Sequence, residues 1–83
     1  SKYYMNNFEI FDELVQADQF IKAATFALGC AKGCRSARNH GMWLGCAVNA
    51  ATQISPELGE AVNTALGGGR WGNIAAAEAA LQA

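Results

Sequence analysis

Apolar residues recur every three to four positions through most of this chain, which is the spacing of amphipathic α-helices. In the first segment the apolar positions share one face, and they are Phe8, Phe11, Leu14 and Val15. Asn6 precedes them as a candidate N-cap, and Glu9 follows three residues later, where its side chain can complete a capping box. The pattern therefore predicts a first helix over residues 7–17.

A second apolar stripe follows, and its positions are Phe20, Ile21, Ala24, Leu28 and Ala31. It predicts a helix from Gln19 to about Ser36, whereas Asp18 marks either a kink or the cap of this second helix. Asn39-His40-Gly41 is predicted to end the segment, because Asn and Gly tolerate the left-handed backbone conformation that closes helices.

The rest of the chain predicts three more helices, Met42–Gln53, Pro56–Leu66 and Ile74–Ala83. The clearest signal is Ser55-Pro56-Glu57, in which Ser caps the helix, Pro takes its first position and Glu lies in its first turn. Gly67-Gly68-Gly69 is expected to end that helix, and Asn73 can cap the last one.

The fold class predicted is all-α, since no alternation of period two is long enough for a strand. Residues 1–83 are expected to form a single domain, a small bundle of four to five short helices around a central close-packed helical hairpin. Turns are expected near Asp18, Asn39–Gly41, Ile54–Ser55 and Gly67–Gly72.

The composition leaves more apolar surface than a core of this size can bury. Hydrophobic residues make up 52% of the 83 residues and charged residues only 16%, against about 25% charged in average domains. A chain this short buries only roughly 60–65% of its unfolded surface. Some apolar surface is therefore expected to face a second copy, a partner subunit or a membrane.

Two kinds of apolar segment are not predicted. The best candidate for a membrane-spanning helix, Phe20–Ala31, is interrupted by Lys22 and is shorter than the ~18 apolar residues required. The N-terminal Ser1-Lys2-Tyr3-Tyr4 lacks the apolar run of a signal peptide, so none is expected within this sequence.

Charge is unevenly distributed along the chain. The first segment is acidic, whereas residues 19–56 contain no carboxylate and four basic residues, Lys22, Lys32, Arg35 and Arg38. A net charge of −1 argues against nucleic-acid binding. The basic residues are expected either to pair with acidic helices or subunits or to bind an anionic surface such as a membrane. Arg35 and Arg38 are also expected near the C-terminal end of the second helix, where cations complement the helix dipole.

Glycine occurs twice at a spacing of four, at Gly29/Gly33 and at Gly41/Gly45. Such pairs remove side chains from one helix face, so that another backbone can approach closely. Each Gly costs up to ~1 kcal/mol in an exposed helix interior, although nine glycines in the chain make some such spacings expected by chance. We predict that these four glycines let the helices of the central hairpin meet.

The three cysteines, Cys30, Cys34 and Cys46, lie within the same stretch as the glycines. Cys30 and Cys34 share a helix face, where a disulfide between them would be strained. Either could pair with Cys46 across the hairpin and stabilise the fold by up to ~3 kcal/mol. Alternatively, all three are free and pack as small apolar side chains, which is the interpretation that we favour.

The order Cys30, Cys34, His40, Cys46 also supplies three thiolates and one imidazole, a set that satisfies tetrahedral zinc. The Cys-x2-Cys knuckle of common zinc sites is missing, so we predict no metal and no cofactor. His40 is instead expected as an exposed turn residue. No nucleophile elbow, phosphate loop or acid pair is evident, so no enzyme activity is predicted. Gly67–Gly72 could wrap an anion, but is expected to be an interhelix loop anchored by Trp71.

The chain resembles the unmodified, Gly/Ala-rich bacteriocins, including the larger microcins and the two-peptide systems. The residues that carry the resemblance are Gly29-x-x-x-Gly33, Gly41-x-x-x-Gly45, the basic stretch Lys32–Arg38 and the run Gly67-Gly68-Gly69-Arg70-Trp71-Gly72-Asn73. The resemblance implies secretion, helix pairing in a target membrane and permeabilisation of that membrane. The same excess apolar surface is also typical of a different class, a small structural subunit of a filament, pilus-like tube or larger complex.

Overall fold

A computed structural model describes residues 5–83 of the protein, so the prediction made for residues 1–4 lies outside the described residues. The five helices are α1 (Asn7–Gln16), α2 (Phe20–Gly33), α3 (Ala37–Ile54), α4 (Pro56–Leu66) and α5 (Ile74–Gln82). No strand occurs in this part of the chain, which confirms the all-α prediction.

Side chains cap the first turn of four helices, and these caps are Asn6, Ser36, Ser55 and Asn73. In the first cap, Glu9 N–H donates to Asn6 Oδ1 at 2.9 Å, while Asn6 Nδ2 lies 3.4 Å from Glu9 Oε1. The first bond confirms Asn6 as the predicted N-cap. In place of the bond from the N-cap backbone N–H that completes a capping box, Glu9 accepts from the Asn6 side-chain amide. The hydrophobic pattern did not identify Ser36 as a cap. Because Ser36 caps α3, that helix starts earlier than predicted.

Asp18 ends α1 by adopting the left-handed conformation, with φ of 58°. Gln19 N–H donates to Leu14 O at 2.9 Å and Asp18 N–H donates to Val15 O at 3.0 Å. Those two bonds form a Schellman motif, which satisfies carbonyls left over at the helix end. The predicted turn near Asp18 is therefore confirmed, and Asp18 closes α1 rather than capping α2.

The turn between α2 and α3 lies at residues 34–36, so the prediction of a turn at Asn39–Gly41 is wrong. Asn39 N–H donates to Ser36 Oγ at 3.1 Å, and this cap starts α3 one turn earlier than expected. Arg38 consequently lies in the first turn of α3, so the predicted match to the dipole of α2 is wrong for Arg38. Arg35 directly follows Cys34, the C-cap of α2, as predicted.

The central hairpin is formed by α2 and α3, which pack along faces of alanine. α2 also contacts α1 and α5, while α4 packs between α3 and α5. Eight of the thirteen buried apolar residues are alanines, and the largest fully buried side chains are Leu28 and Val62. The backbones of the hairpin therefore approach through methyl groups, and the core contains few large side chains.

The four glycines of the spaced pairs do not join these helices, which corrects the prediction made for Gly29, Gly33, Gly41 and Gly45. All four are exposed, and a Cβ added at any of them meets no atom within 4 Å. Gly29 and Gly33 lie opposite the alanine face of α2 that meets α3. Within this fold they therefore leave bare helix surface instead of making a close contact.

Close approach depends on two other glycines, Gly59 and Gly72. A Cβ on Gly59 would collide with the Thr52 side chain and lie 3.0 Å from Thr52 Cα, so α4 meets α3 there. A Cβ on Gly72 would lie 2.6 Å from Leu44 Cδ1 and 3.1 Å from Leu66 Cδ2. The second contact holds the loop after α4 against the core.

Candidate functional site

The basic residues predicted to bind an anionic surface are all exposed, but they do not form one patch. Lys32, Arg35 and Arg38 lie at the corner where α2 gives way to α3. Lys22 lies ten residues before Lys32 on the same helix, a separation of about 15 Å along the axis. It neighbours Asp18 and Ile54 at the opposite end of the bundle.

Lys32 is already paired with a carboxylate from the last helix. Its Nζ lies 3.8 Å from Glu78 Oε1, and both side chains are substantially exposed. Such a surface pair contributes at most about 1 kcal/mol to stability. The guanidinium groups of Arg35 and Arg38 make no such pair within residues 5–83, so the free positive charge of this corner belongs to the arginines.

His40 lies in the middle of this region and is 3% exposed, so the prediction of an exposed turn residue is wrong. Its Nδ1 lies 2.8 Å from the carbonyl oxygen of Ala31 in α2. Gly72 N–H, in the loop after α4, donates to His40 Nε2 at 2.9 Å. One imidazole therefore links α2, α3 and the α4–α5 loop.

The two partners fix which ring nitrogen of His40 carries the proton. A backbone N–H only donates, so Nε2 must accept the bond from Gly72. A carbonyl oxygen only accepts, so Nδ1 must carry hydrogen and donate to Ala31. His40 is therefore a neutral imidazole that satisfies a carbonyl at the end of α2 and holds the loop in place.

The loop at residues 67–72 presents Arg70 and Trp71 beside the basic corner. Gly67 begins it with φ of 80°, and Asn73 N–H closes it by donating to Leu66 O at 3.0 Å. The ring of Trp71 packs on His40 with centroids 4.6 Å apart, yet the residue remains 49% exposed. The loop is thus anchored through Trp71, as predicted, while half of this residue faces solvent.

A second aromatic cluster surrounds Trp43, which lies three residues after His40 in α3. Phe8 of α1 stacks on Trp43 at 4.5 Å, and Phe11 and Phe26 meet it edge-on at 6.1 and 6.3 Å. No residue of α1 is buried, and Phe8 itself is 45% exposed. α1 is therefore held largely by half-buried aromatic contacts.

The three cysteines are free and half-buried against the core, as we favoured from the sequence. Cys34 follows the last residue of α2, and its thiol donates to the Cys30 carbonyl at 3.2 Å. Burial raises the pKa of the Cys30 thiol, and the nearby Cys34 and Cys46 thiols raise it further. Burial also raises the pKa of Cys46, with Asp12 of α1 adding to the effect. The thiols of Cys30 and Cys46 therefore hold their protons to higher pH than an ordinary cysteine thiol does.

The set Cys30, Cys34, His40 and Cys46 is not assembled as a zinc site. Both ring nitrogens of His40 are engaged by backbone groups of Ala31 and Gly72. Among residues 5–83, no three His, Cys, Asp or Glu side chains are arranged to hold a metal ion. Nor, in the described residues, does a helix combine the length and apolar character needed to cross a bilayer.

Sequence reasoning missed the part that His40 plays, although one signal was available. His40, Trp43, Ala47 and Ala50 follow one another at spacings of three, four and three, and all four are buried on one face of α3. Extending that stripe by one turn would have placed His40 inside the helix. Its partner Gly72 is 32 residues away and carries no local signal.

Comparisons with protein-family models, with curated proteins and with solved structures gave no match to this chain.

Proposed function

We propose that this protein is a membrane-active, bacteriocin-like helical protein that is compact in water and opens on an anionic membrane. The observation that carries the proposal is the distribution of apolar side chains. The core consists mainly of alanines, whereas Phe8, Ile21, Met42, Ile54 and Trp71 are each more than a third exposed.

Because the core consists mainly of alanines, the bundle loses little burial free energy when it opens. Burial contributes about 0.8 kcal/mol per methylene-sized group, so one alanine contributes far less than the 1.5–3 kcal/mol of a buried leucine or phenylalanine. Larger side chains outside the core gain little from the folded bundle. They gain more when a bilayer receives them, which favours the opened state at a membrane.

α1 is the element expected to leave first. Its apolar side chains are only half-buried or exposed. They hold the helix through the contacts of Phe8 and Phe11 with Trp43 and through Leu14 and Val15, which pack against the core. Releasing α1 exposes Trp43 and Phe26 together, and that apolar surface can enter the membrane interface.

The spaced glycines make no close contact in the folded bundle, and in this proposal they are the contact surface for a second copy. Gly29, Gly33, Gly41 and Gly45 have open space above them. Where side chains are absent, a helix of a second copy can approach closely, and in lipid such contact favours association through packing. The close helix pairing expected from the sequence is therefore assigned to association between copies.

Dye release from vesicles tests the proposal. We expect the protein to release dye from vesicles of phosphatidylglycerol and phosphatidylcholine, and far less from pure phosphatidylcholine vesicles, because the basic groups attract the anionic surface. Trp43 emission should change as α1 leaves it. No release and no change in emission at any lipid concentration would exclude this function.

A structural subunit is the second candidate, and the separation of charge favours it. α1 carries exposed Glu9, Asp12 and Glu13, whereas the α2–α3 corner carries exposed arginines. Such complementary surfaces allow head-to-tail contacts, which form open filaments when they do not close into rings. Mass measurement in lipid-free buffer separates the two functions, since a subunit forms large particles there and a membrane-active protein does not.

A further inference from the structure

One end of the bundle combines unpaired positive charge with a half-exposed indole. The residues are Arg35 and Arg38 at the α2–α3 corner and Arg70 and Trp71 in the α4–α5 loop, here called the arginine–tryptophan end. They meet because His40, two residues after Arg38, packs on Trp71 and accepts the Gly72 N–H. The surface is thus assembled from two segments more than 30 residues apart.

We infer that the arginine–tryptophan end is the surface through which the protein docks on a membrane of anionic lipids, with His40 as the residue that positions Trp71. The inference rests on the proposed function and adds to it which residues meet the lipid and what holds them.

The charge of this end fits an anionic surface. No carboxylate occurs between residues 19 and 56, or between Glu60 and Glu78 in the segment that contains the loop. The carboxylate that does reach the corner, Glu78, is paired with Lys32. Arginine forms forked hydrogen bonds with phosphate groups, which suits the phosphodiesters of lipid headgroups.

Trp71 distinguishes a membrane from other anionic partners. An indole has an apolar body and one N–H donor, and such rings concentrate at the level of lipid headgroups. Here the ring is 49% exposed next to three exposed arginines, although burial against the core would be the ordinary state of a Trp. The pairing of cations with an outward indole matches a headgroup layer.

His40 explains why Trp71 stays outward. The ring contact at 4.6 Å and the bond from Gly72 N–H fix the loop on one side. Gly72 itself lies against Leu44 and Leu66, whose side-chain ends would have to shift to admit a Cβ there. With both sides of the loop held, the free face of Trp71 points away from the core before any lipid is present, so little ordering is required on docking.

Vesicle binding tests whether the arginines of this end attract the protein to anionic lipid. We expect Arg35→Gln and Arg70→Gln each to lower the partition onto phosphatidylglycerol-containing vesicles about fivefold. The matched control is Lys22→Gln, also exposed but about 15 Å from Lys32, beyond the screening length of about 8 Å at physiological salt. It should change partition by less than twofold.

Tryptophan emission tests the geometry. In a Trp43→Phe background, Trp71 is the only tryptophan of the chain, and acyl chains brominated near the headgroup should quench its emission. Trp71→Phe in the otherwise unchanged chain should bind these vesicles more weakly. Ile21→Ala is the apolar control, since Ile21 is exposed at the other end. His40→Gln keeps an acceptor but loses the ring, so quenching should fall while helicity by circular dichroism is retained. His40→Ala should lower quenching further.

The outcomes separate this inference from the proposed function. If the wild type neither binds vesicles nor releases dye, both are wrong. If it binds and releases dye while Arg35→Gln, Arg70→Gln and Trp71→Phe behave like the Lys22→Gln and Ile21→Ala controls, only the docking surface is wrong. If those variants instead dissolve a large species in lipid-free buffer and leave vesicle binding unchanged, the arginine–tryptophan end binds a second copy, and the inference is overturned. An unquenched Trp71 in vesicle-bound protein of the Trp43→Phe background would also overturn the inference, even where an arginine variant fails to fold.

Discussion

His40 joins three separate parts of the chain through two hydrogen bonds and one ring contact. A buried polar side chain is tolerated in a core only when its hydrogen bonds are made, and here both ring nitrogens have partners. The residue therefore stabilises the end of α2 and the α4–α5 loop together. Losing it leaves Gly72 N–H without its acceptor in a half-buried position.

The thiols of Cys30 and Cys46 make the stability of the fold depend on pH in the alkaline range. Burial raises the pKa of Cys30 and Cys46 above their ordinary value of 9.0, so the folded state holds these protons more tightly than the unfolded state. Their contribution to the free energy of unfolding is fully present below pH 9.0 and is lost as pH rises past it. We expect the melting temperature in reducing buffer to fall above pH 9.

A double variant provides the control for this alkaline loss. Cys30→Ala with Cys46→Ala removes both groups and changes little volume, so its melting temperature should fall less steeply above pH 9. An identical alkaline profile in the double variant would show that other groups cause the loss.

Within the helices, replacing two different glycines by alanine should change the free energy of unfolding in opposite directions. Gly45→Ala adds a methyl group in open space and improves helix propensity, so it should raise stability by up to about 1 kcal/mol. Gly59→Ala pushes against the Thr52 backbone and should lower stability by about 1–3 kcal/mol. Denaturant unfolding measures both. A loss in Gly45→Ala comparable to that in Gly59→Ala would mean that the spaced glycines do pack in the monomer.

α1 should open more readily than the rest of the bundle. None of its residues is buried, whereas α3 buries five, and local opening follows from few buried contacts. Hydrogen exchange should therefore be faster for amides of α1 than for those around Ala47 in α3. Phe8→Ala should accelerate exchange in α1 alone, because it removes the stack on Trp43.

Ile54→Ala is the matched control for the Phe8 variant, since Ile54 is 44% exposed and lies outside α1. It should leave α1 exchange unchanged. Equal exchange rates in α1 and α3 of the wild type would mean that the bundle opens only as a whole.

For the whole molecule, stability depends on very few large side chains. Leu28→Ala should cost about 2–5 kcal/mol, a large part of the about 4–12 kcal/mol expected for a domain of this length. Ile21→Ala, at an exposed position of the same helix, should stay within about 0.5 kcal/mol. Thermal unfolding compares the two. Equal effects would contradict an alanine core held by Leu28 and Val62.

Local residue patterns were enough to predict the five helices and most of their starts. Asn6, Ser55 and Asn73 cap as expected, because a cap acts on an N–H three residues away and needs no other part of the chain. The exposure of Lys22, Lys32, Arg35 and Arg38 was likewise predictable from their charge.

The end of α2, the crowding of particular glycines and the role of His40 depend instead on contacts between distant parts of the chain. Asn39–Gly41 has the residues of a helix stop, yet it is helical because the Ser36 cap and the His40 contacts act there together. Gly59 and Gly72 carry no repeat, and their close contacts come from other helices. The arginine–tryptophan end depends on a bond between residues 40 and 72, and no local pattern encodes a partner so distant in the chain.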